Sequence, residues 1–221
     1  MKIAILLYDK LTALDAIGPY EVLSRLPGAE VSFVGKQRGA VRTDTGALGL
    51  SVDRTLDEVK ETDIVLVPGG AGTRPLLADE QVLGWLRSVD TASKWTTSVC
   101  TGSLILAAAG LLEGRRATSH WIWREDLSAF GADPVEERVV VDGKYVTAAG
   151  VASGIDMALE LARLEAGDEV AQAIQLGIEY DPDPPFDSGS PAKAPQQLVT
   201  ALRDRARSNP ALQIKRPEPA P

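Results

Sequence analysis

Residues 95–110, Trp95-Thr96-Thr97-Ser98-Val99-Cys100-Thr101-Gly102-Ser103-Leu104-Ile105-Leu106-Ala107-Ala108-Ala109-Gly110, set a strand directly against a helix, with the chain's one cysteine at the junction. Trp95 to Val99 reads as a strand, and Leu104 to Ala109 as a buried helix stopped by Gly110. Cys100 therefore falls on a strand-to-helix turn. Free backbone N–H groups and the positive end of the helix favour an anion there. This setting predicts a thiol pKa lowered from about 8.5 into the range of roughly 3.5–7.5, which makes the sulfur a thiolate nucleophile open to oxidation. A lone cysteine otherwise reads as a small buried hydrophobe. Small Gly102 and Ser103, which allow close approach at the turn, favour the reactive reading.

The strand-then-helix unit recurs on both sides of this stretch. Ile3 to Leu7 is an unbroken apolar run, as expected of a strand covered on both faces. A helix from Tyr20 to Leu26 follows, closed by Pro27-Gly28, then strands at Val31 to Val34, Leu48 to Val52 and Asp63 to Val67. Beyond Pro68-Gly69-Gly70 come a helix over Glu80 to Val89, a strand over Arg116 to Ser119 and a helix over Trp121 to Phe130. Val135 to Val141 and Tyr145 to Ala149, joined by Asp142-Gly143, form a hairpin-like pair. Ser153 and Asp168 cap two further helices. The alternation predicts an α/β fold with a doubly wound, largely parallel sheet and helices on both faces. Residues 1–195 form one domain. The Pro-rich stretch Asp181 to Pro191 is non-helical, with Tyr180 and Phe186 as apolar anchors. Residues 196–221 supply a last helix, Gln196 to Arg207, and a loose end from Pro210.

Whole-chain composition narrows the function. Among 221 residues, 31 acidic against 23 basic side chains leave a charge of −8, which argues against a nucleic-acid partner. No apolar run approaches the ~18 residues of a membrane span, and the amino terminus reads as a core strand and not a signal peptide. One cysteine fits a reducing, cytoplasmic location and excludes an internal disulfide. One cysteine with one histidine, His120, makes a structural zinc site implausible.

Three loops fall at the carboxyl ends of parallel strands, the edge where open α/β sheets bind ligands. They carry Asp15 with Gly18 and Pro19, Gly69 with Gly70, and Cys100 with Thr101. Brought together, they put a carboxyl group beside a thiol and offer the backbone N–H groups of Gly70 and Thr101 to a polarised atom. Asp15 alone reads first as a helix N-cap. Beside the thiol it becomes a proton donor and acceptor whose pKa rises, so that the pair shares a proton. His120 reads first as a hydrogen-bonded histidine in a half-buried wall and second as a general base.

Asp15-Ala16-Ile17-Gly18-Pro19, Pro68-Gly69-Gly70, Ser98-Val99-Cys100-Thr101-Gly102-Ser103, Ala117-Thr118-Ser119-His120-Trp121 and Gly150-Val151-Ala152-Ser153-Gly154-Ile155-Asp156 together resemble the ThiJ/PfpI superfamily. The likeness runs from residue 1 to about residue 195. Aspartate before Gly-Pro, threonine after the cysteine, and the tail from Glu179-Tyr180 to Gly189-Ser190-Pro191 resemble its isocyanide-hydrating members. The resemblance implies a flavodoxin-like fold with a cysteine nucleophile elbow, a homodimer, and conversion of a small-molecule isocyanide to an N-substituted formamide without metal or cofactor. It implies Cys100 as nucleophile, Asp15 as acid and base, Thr101 as a third catalytic residue, and His120 and Gly18 behind them. Glyoxalase-like and protease-like members carry glutamate where Asp15 stands, and the proteases place histidine after the cysteine. A glyoxalase or deglycase, and a sensor domain related to AraC-type regulators, are the alternatives the resemblance leaves.

Overall fold

Strand and helix alternate along the computed structural model, which describes residues 1–214. In chain order the elements are β1 (Lys2–Leu6), α1 (Ala13–Leu23), β2 (Glu30–Gly35), β3 (Gly39–Arg42), β4 (Gly49–Val52), β5 (Arg54–Thr55), β6 (Ile64–Val67), α2 (Thr73–Leu76), α3 (Glu80–Asp90), β7 (Trp95–Val99), α4 (Gly102–Ala108), β8 (Arg116–Ala117), β9 (Asp133–Pro134), β10 (Val139–Asp142), β11 (Tyr145–Ala148), α5 (Ser153–Ala166), α6 (Asp168–Gly177) and α7 (Gln196–Ser208).

Seven strands build the main sheet in the order β10-β11-β7-β6-β1-β2-β5. Every pairing is parallel except that of β10 with β11. This is the doubly wound α/β sheet expected. The apolar runs Ile3 to Leu6 and Ile64 to Val67 are buried at every position because helices cover both faces. On one side α1 packs against α5 and α5 against α6; on the other α4 packs against α2 and α3. β1, β6 and β7 lie side by side, so the loops that follow them meet at one sheet edge. Thr12 donates to Gly69 O (2.9 Å) and Gly72 to Lys10 O (3.0 Å), tying the first two loops together.

Several local expectations are corrected by tertiary context. α1 begins at Ala13 and runs through Pro19, so Asp15 lies inside the helix and Thr12 is its N-cap. An interior proline costs a free helix about 3 kcal/mol; here its ring is buried against α5 near Gly154. The β4 segment pairs with β3 in a separate hairpin. The strand expected at Arg116 to Ser119 shrinks to β8, paired with β9 outside the main sheet. Val135 to Glu137 stay out of the expected hairpin, which β10 and β11 form around Gly143. Trp121 to Phe130 is a turn followed by a 3-10 helix over Arg124–Phe130. Ala152 and Gly167, one residue before Ser153 and Asp168, take the N-cap positions of α5 and α6. In the Pro-rich stretch Tyr180 is anchored through its hydroxyl to Asp156 Oδ1 (3.0 Å), whereas Phe186 is 77% exposed. Pro210–Leu212 form a short 3-10 turn, not a loose end, with Leu212 and Ile214 packed against the core; the remainder, 215–221, lies outside the described residues.

Candidate active site

β7 ends in a turn so tight that Cys100 takes a left-handed backbone (φ 58°). For a non-glycine residue this conformation stores about 1–3 kcal/mol of strain. Its surroundings hold it there. The Cys100 N–H is shared between Ala148 O (3.0 Å) and Ala149 O (2.7 Å), and its carbonyl accepts from Ser119 Oγ (2.9 Å) and Ser103 Oγ (3.1 Å). The neighbouring glycines are sterically required. A Cβ at Gly102 would sit 2.0 Å from Val67 O, and one at Gly69 2.5 Å from the Thr101 nitrogen. The helix can therefore start directly behind the sulfur only with glycine at these two positions.

Asp15, fully buried on α1, faces this elbow. Its Oδ2 accepts from the Gly69 N–H (2.9 Å), and its carboxyl group interacts with the Cys100 thiol. Oδ1 is buried without a conventional hydrogen-bond partner among the described residues, so the thiol contact is a weak one. Burial pushes the carboxyl pKa up to about 7, and the more distant charge of Asp44 pushes the same way. Asp15 lies in the first turn of α1, where the helix dipole favours an anion by about 1 kcal/mol. Desolvation outweighs that. The Cys100 thiol moves opposite to the sequence expectation. Burial and then the Asp15 charge raise its pKa well above the usual thiol value, against hydrogen bonds from Thr101 that pull it down. At neutral pH the sulfur thus rests as a thiol beside a carboxyl group that titrates near neutrality. The partial charge of a helix end does not offset removal of the sulfur from water.

The model of the DJ-1/PfpI family matches residues 1–164 of the chain. The chain belongs to the DJ-1/PfpI family. Within the family it is 46% identical to the isonitrile hydratase of Pseudomonas putida over 97% of its own length and 93% of that protein's. It is 34% identical to the deglycase PfpI of Pyrococcus furiosus over 66% of its length and 89% of that relative's. A crystal structure of a ThiJ/PfpI protein from Pseudomonas syringae superimposes with a TM-score of 0.91 at 39% identity, covering 93% of this chain and 86% of that one.

Placement of the remaining candidates differs from residue to residue. Thr101 is at the elbow, its Oγ1 bonded to Thr73 Oγ1 (2.8 Å) and to the Gly70 N–H (3.0 Å). The Gly70 N–H is therefore already spent on Thr101 and does not stand open as an oxyanion donor. His120 accepts the Ile122 N–H on Nδ1 (3.3 Å) and stacks on Trp121; burial, aided by the positive charge of Arg74, lowers its pKa to about 4. It is a neutral wall residue above that pH. Gly18 faces α5, where an added Cβ would meet Ile155 at 3.0 Å, so it serves helix packing and not the sulfur.

The sequence reading passed over Tyr8, Thr73, Arg74 and Trp123. Tyr8 donates to Pro68 O (2.6 Å) and shares a hydrogen bond with Thr73, extending the Thr101 chain of hydroxyls. Arg74 lies over Trp123 at 4.5 Å. Thr73 and Arg74 follow the Gly-rich loop directly, which was the available signal. A cavity of ≈ 520 Å³ adjoins the elbow, lined by Ser119, His120, Trp121, Gly150, Val151 and the tail residues Gly189–Pro191 among others. Among the described residues no cluster of three or more His, Cys, Asp or Glu side chains stands where a metal ion would be held.

Proposed function

We propose that this protein hydrates isocyanides to N-substituted formamides, with Cys100 and Asp15 as the reacting pair. The supporting observation is the pairing of a buried thiol with a carboxyl group whose pKa lies near neutrality, in a chain so similar over its length to an isonitrile hydratase. Cys100 is only 5% exposed, which suits a slim, end-on electrophile such as the terminal carbon of R–N≡C.

In the proposed reaction Asp15 as carboxylate takes the thiol proton while sulfur bonds to the terminal carbon. The same proton is then delivered to that carbon, giving the thioimidate R–N=CH–S–Cys100. Asp15 next accepts a proton from a water molecule as its oxygen adds to the C=N carbon, and passes that proton to the nitrogen, giving the adduct R–NH–CH(OH)–S–Cys100. Collapse of the tetrahedral adduct breaks the C–S bond as the adduct's hydroxyl proton moves by way of Asp15 to the departing sulfur, releasing R–NH–CHO and restoring the thiol and the carboxylate. An acid-base group serves both steps best with a pKa near the working pH. Thr101, held by Thr73 and Gly70, fixes the elbow and donates toward the sulfur as charge develops.

A deglycase or glyoxalase reading has the similarity to the Pyrococcus furiosus relative in its favour. Aspartate at position 15, where the resemblance gives glyoxalase-like members glutamate, weighs against it. The exposed side chains of Leu176, Phe186, Leu198 and Leu202 support assembly as a homodimer. The test of the function is ultraviolet detection of formamide from para-nitrophenyl isocyanide, run beside Cys100→Ala and with methylglyoxal as second substrate. Turnover of the isocyanide by the wild type alone is expected. Lactate from methylglyoxal without formamide would replace the proposal by the deglycase reading.

A further inference from the structure

Arg74 stands beside the sulfur, yet the hydration steps give it nothing to do. It is the second residue of α2, the short helix after the Gly-rich loop. Its Nε donates to Leu212 O (2.9 Å), and its Nη1 makes a long bond to Gly70 O (3.3 Å). The guanidinium carbon lies 4.5 Å from the ring centroid of Trp123, which supports one face. Nη2 is buried and has no hydrogen-bond partner among the described residues. The group is thus oriented on three sides, with one edge, Nη1 and Nη2, weakly engaged or unpaired.

Three neighbours act on this cation: Cys100 most, then Tyr8, then Asp126. Burial holds Cys100 and Tyr8 as neutral thiol and phenol, and His120, which also senses Arg74, is neutral above about pH 4. Asp126 is the one acidic neighbour of the three, and its influence ranks last. A partly buried guanidinium keeps its charge at all ordinary pH, and the edge of its planar fork that carries the buried, unpaired Nη2 has the shape to meet an entering carboxylate in bidentate fashion.

We infer that Arg74 anchors a carboxylate carried by the substrate, so that the site selects isocyanides bearing a carboxylate over uncharged isocyanides of the same size. The choice of isocyanide rests on the proposed hydration; the anchor itself rests on Arg74 and is measurable without turnover. Trp123 and the Leu212 carbonyl hold the fork in place before the ligand arrives, which lowers the ordering needed on binding.

The experiment is calorimetric binding of N-formylglycine and of neutral N-formylglycinamide to the wild type, Arg74→Met and Arg74→Lys. Beside it, kcat/KM is measured for isocyanoacetate and isocyanoacetamide. The wild type is expected to bind the carboxylate roughly 10- to 100-fold more tightly than the amide, the range of a charge-assisted pair. Arg74→Met is expected to abolish that preference and leave amide binding within about threefold, while Arg74→Lys restores part of the preference. Equal binding of both ligands by the wild type overturns the anchor, with no variant needed. Equal weakening of both ligands in Arg74→Met also overturns it, leaving a clasp for Leu212. Failure of the wild type to turn over either isocyanide while it still prefers the carboxylate overturns the hydration reading and supports the anchor.

Discussion

Asp15→Asn separates what the buried carboxyl group does for chemistry from what it does to stability. In the folded chain its pKa is about 7, against an ordinary carboxyl value of 3.8, because burial penalises the charged form. A carboxyl group whose folded pKa is raised contributes most at low pH, where it is protonated in both states. Its contribution is lost as pH rises from the unfolded value toward the folded one. Between about pH 5 and about pH 8 this single group removes about 2–3 kcal/mol from the stability of the wild type. Asparagine keeps an acceptor for the Gly69 N–H but cannot ionise. Its amide N–H finds no strong acceptor and costs about 1–3 kcal/mol, a penalty that does not change with pH. Cys100 and Tyr8, which also feel the Asp15 charge, are held neutral over this range by burial, and the remaining groups act on both proteins alike. Urea unfolding of both at the two pH values should therefore show the variant gaining on the wild type by about 2–3 kcal/mol between about pH 5 and about pH 8, while its turnover falls roughly 10²-fold or more. A stability difference that stays constant with pH would refute desolvation as the cause of the raised pKa.

The same pair sets a pH profile. Below about 7 Asp15 is protonated and no base receives the thiol proton. kcat/KM with para-nitrophenyl isocyanide should rise about tenfold per pH unit up to that point and then level; a flat profile would detach Asp15 from the rate. Because burial holds Cys100 as a thiol, iodoacetamide should alkylate the native protein roughly tenfold or more slower than it does the urea-unfolded chain, as read by mass spectrometry. Equal rates would restore the thiolate expected from the turn alone. Gly102→Ala drives a Cβ to 2.0 Å from Val67 O and should destabilise the fold by about 3 kcal/mol, measured by urea unfolding. An unchanged midpoint would mean that the elbow relaxes freely.

Patterning along the chain carried the architecture. Buried parallel strands leave unbroken apolar runs, as at Ile3 to Leu6 and Ile64 to Val67, and short turns after them fall at one sheet edge by topology alone. Hence Asp15, Cys100 and Thr101 were legible as candidates and meet at one elbow. Local signals failed where distant partners outweighed them. Pro19 sits inside α1 because its ring packs near Gly154, and the segment expected to be helical from Trp121 turns and then forms a 3-10 helix, Arg124–Phe130, between α4 and β9. The protonation state could not be read locally either. A strand-to-helix turn predicts a thiolate, but the pKa depends on how much protein lies between sulfur and water and on a carboxyl group 85 residues away in sequence. Arg74 shows the same limit. Its partners Leu212 and Trp123 are remote along the chain, and only their meeting in space turns a surface-type residue into a half-buried, oriented cation. Periodicity is a property of neighbours in sequence and determined the sheet and its functional edge; desolvation and charge are properties of neighbours in space, and only the tertiary structure decided them.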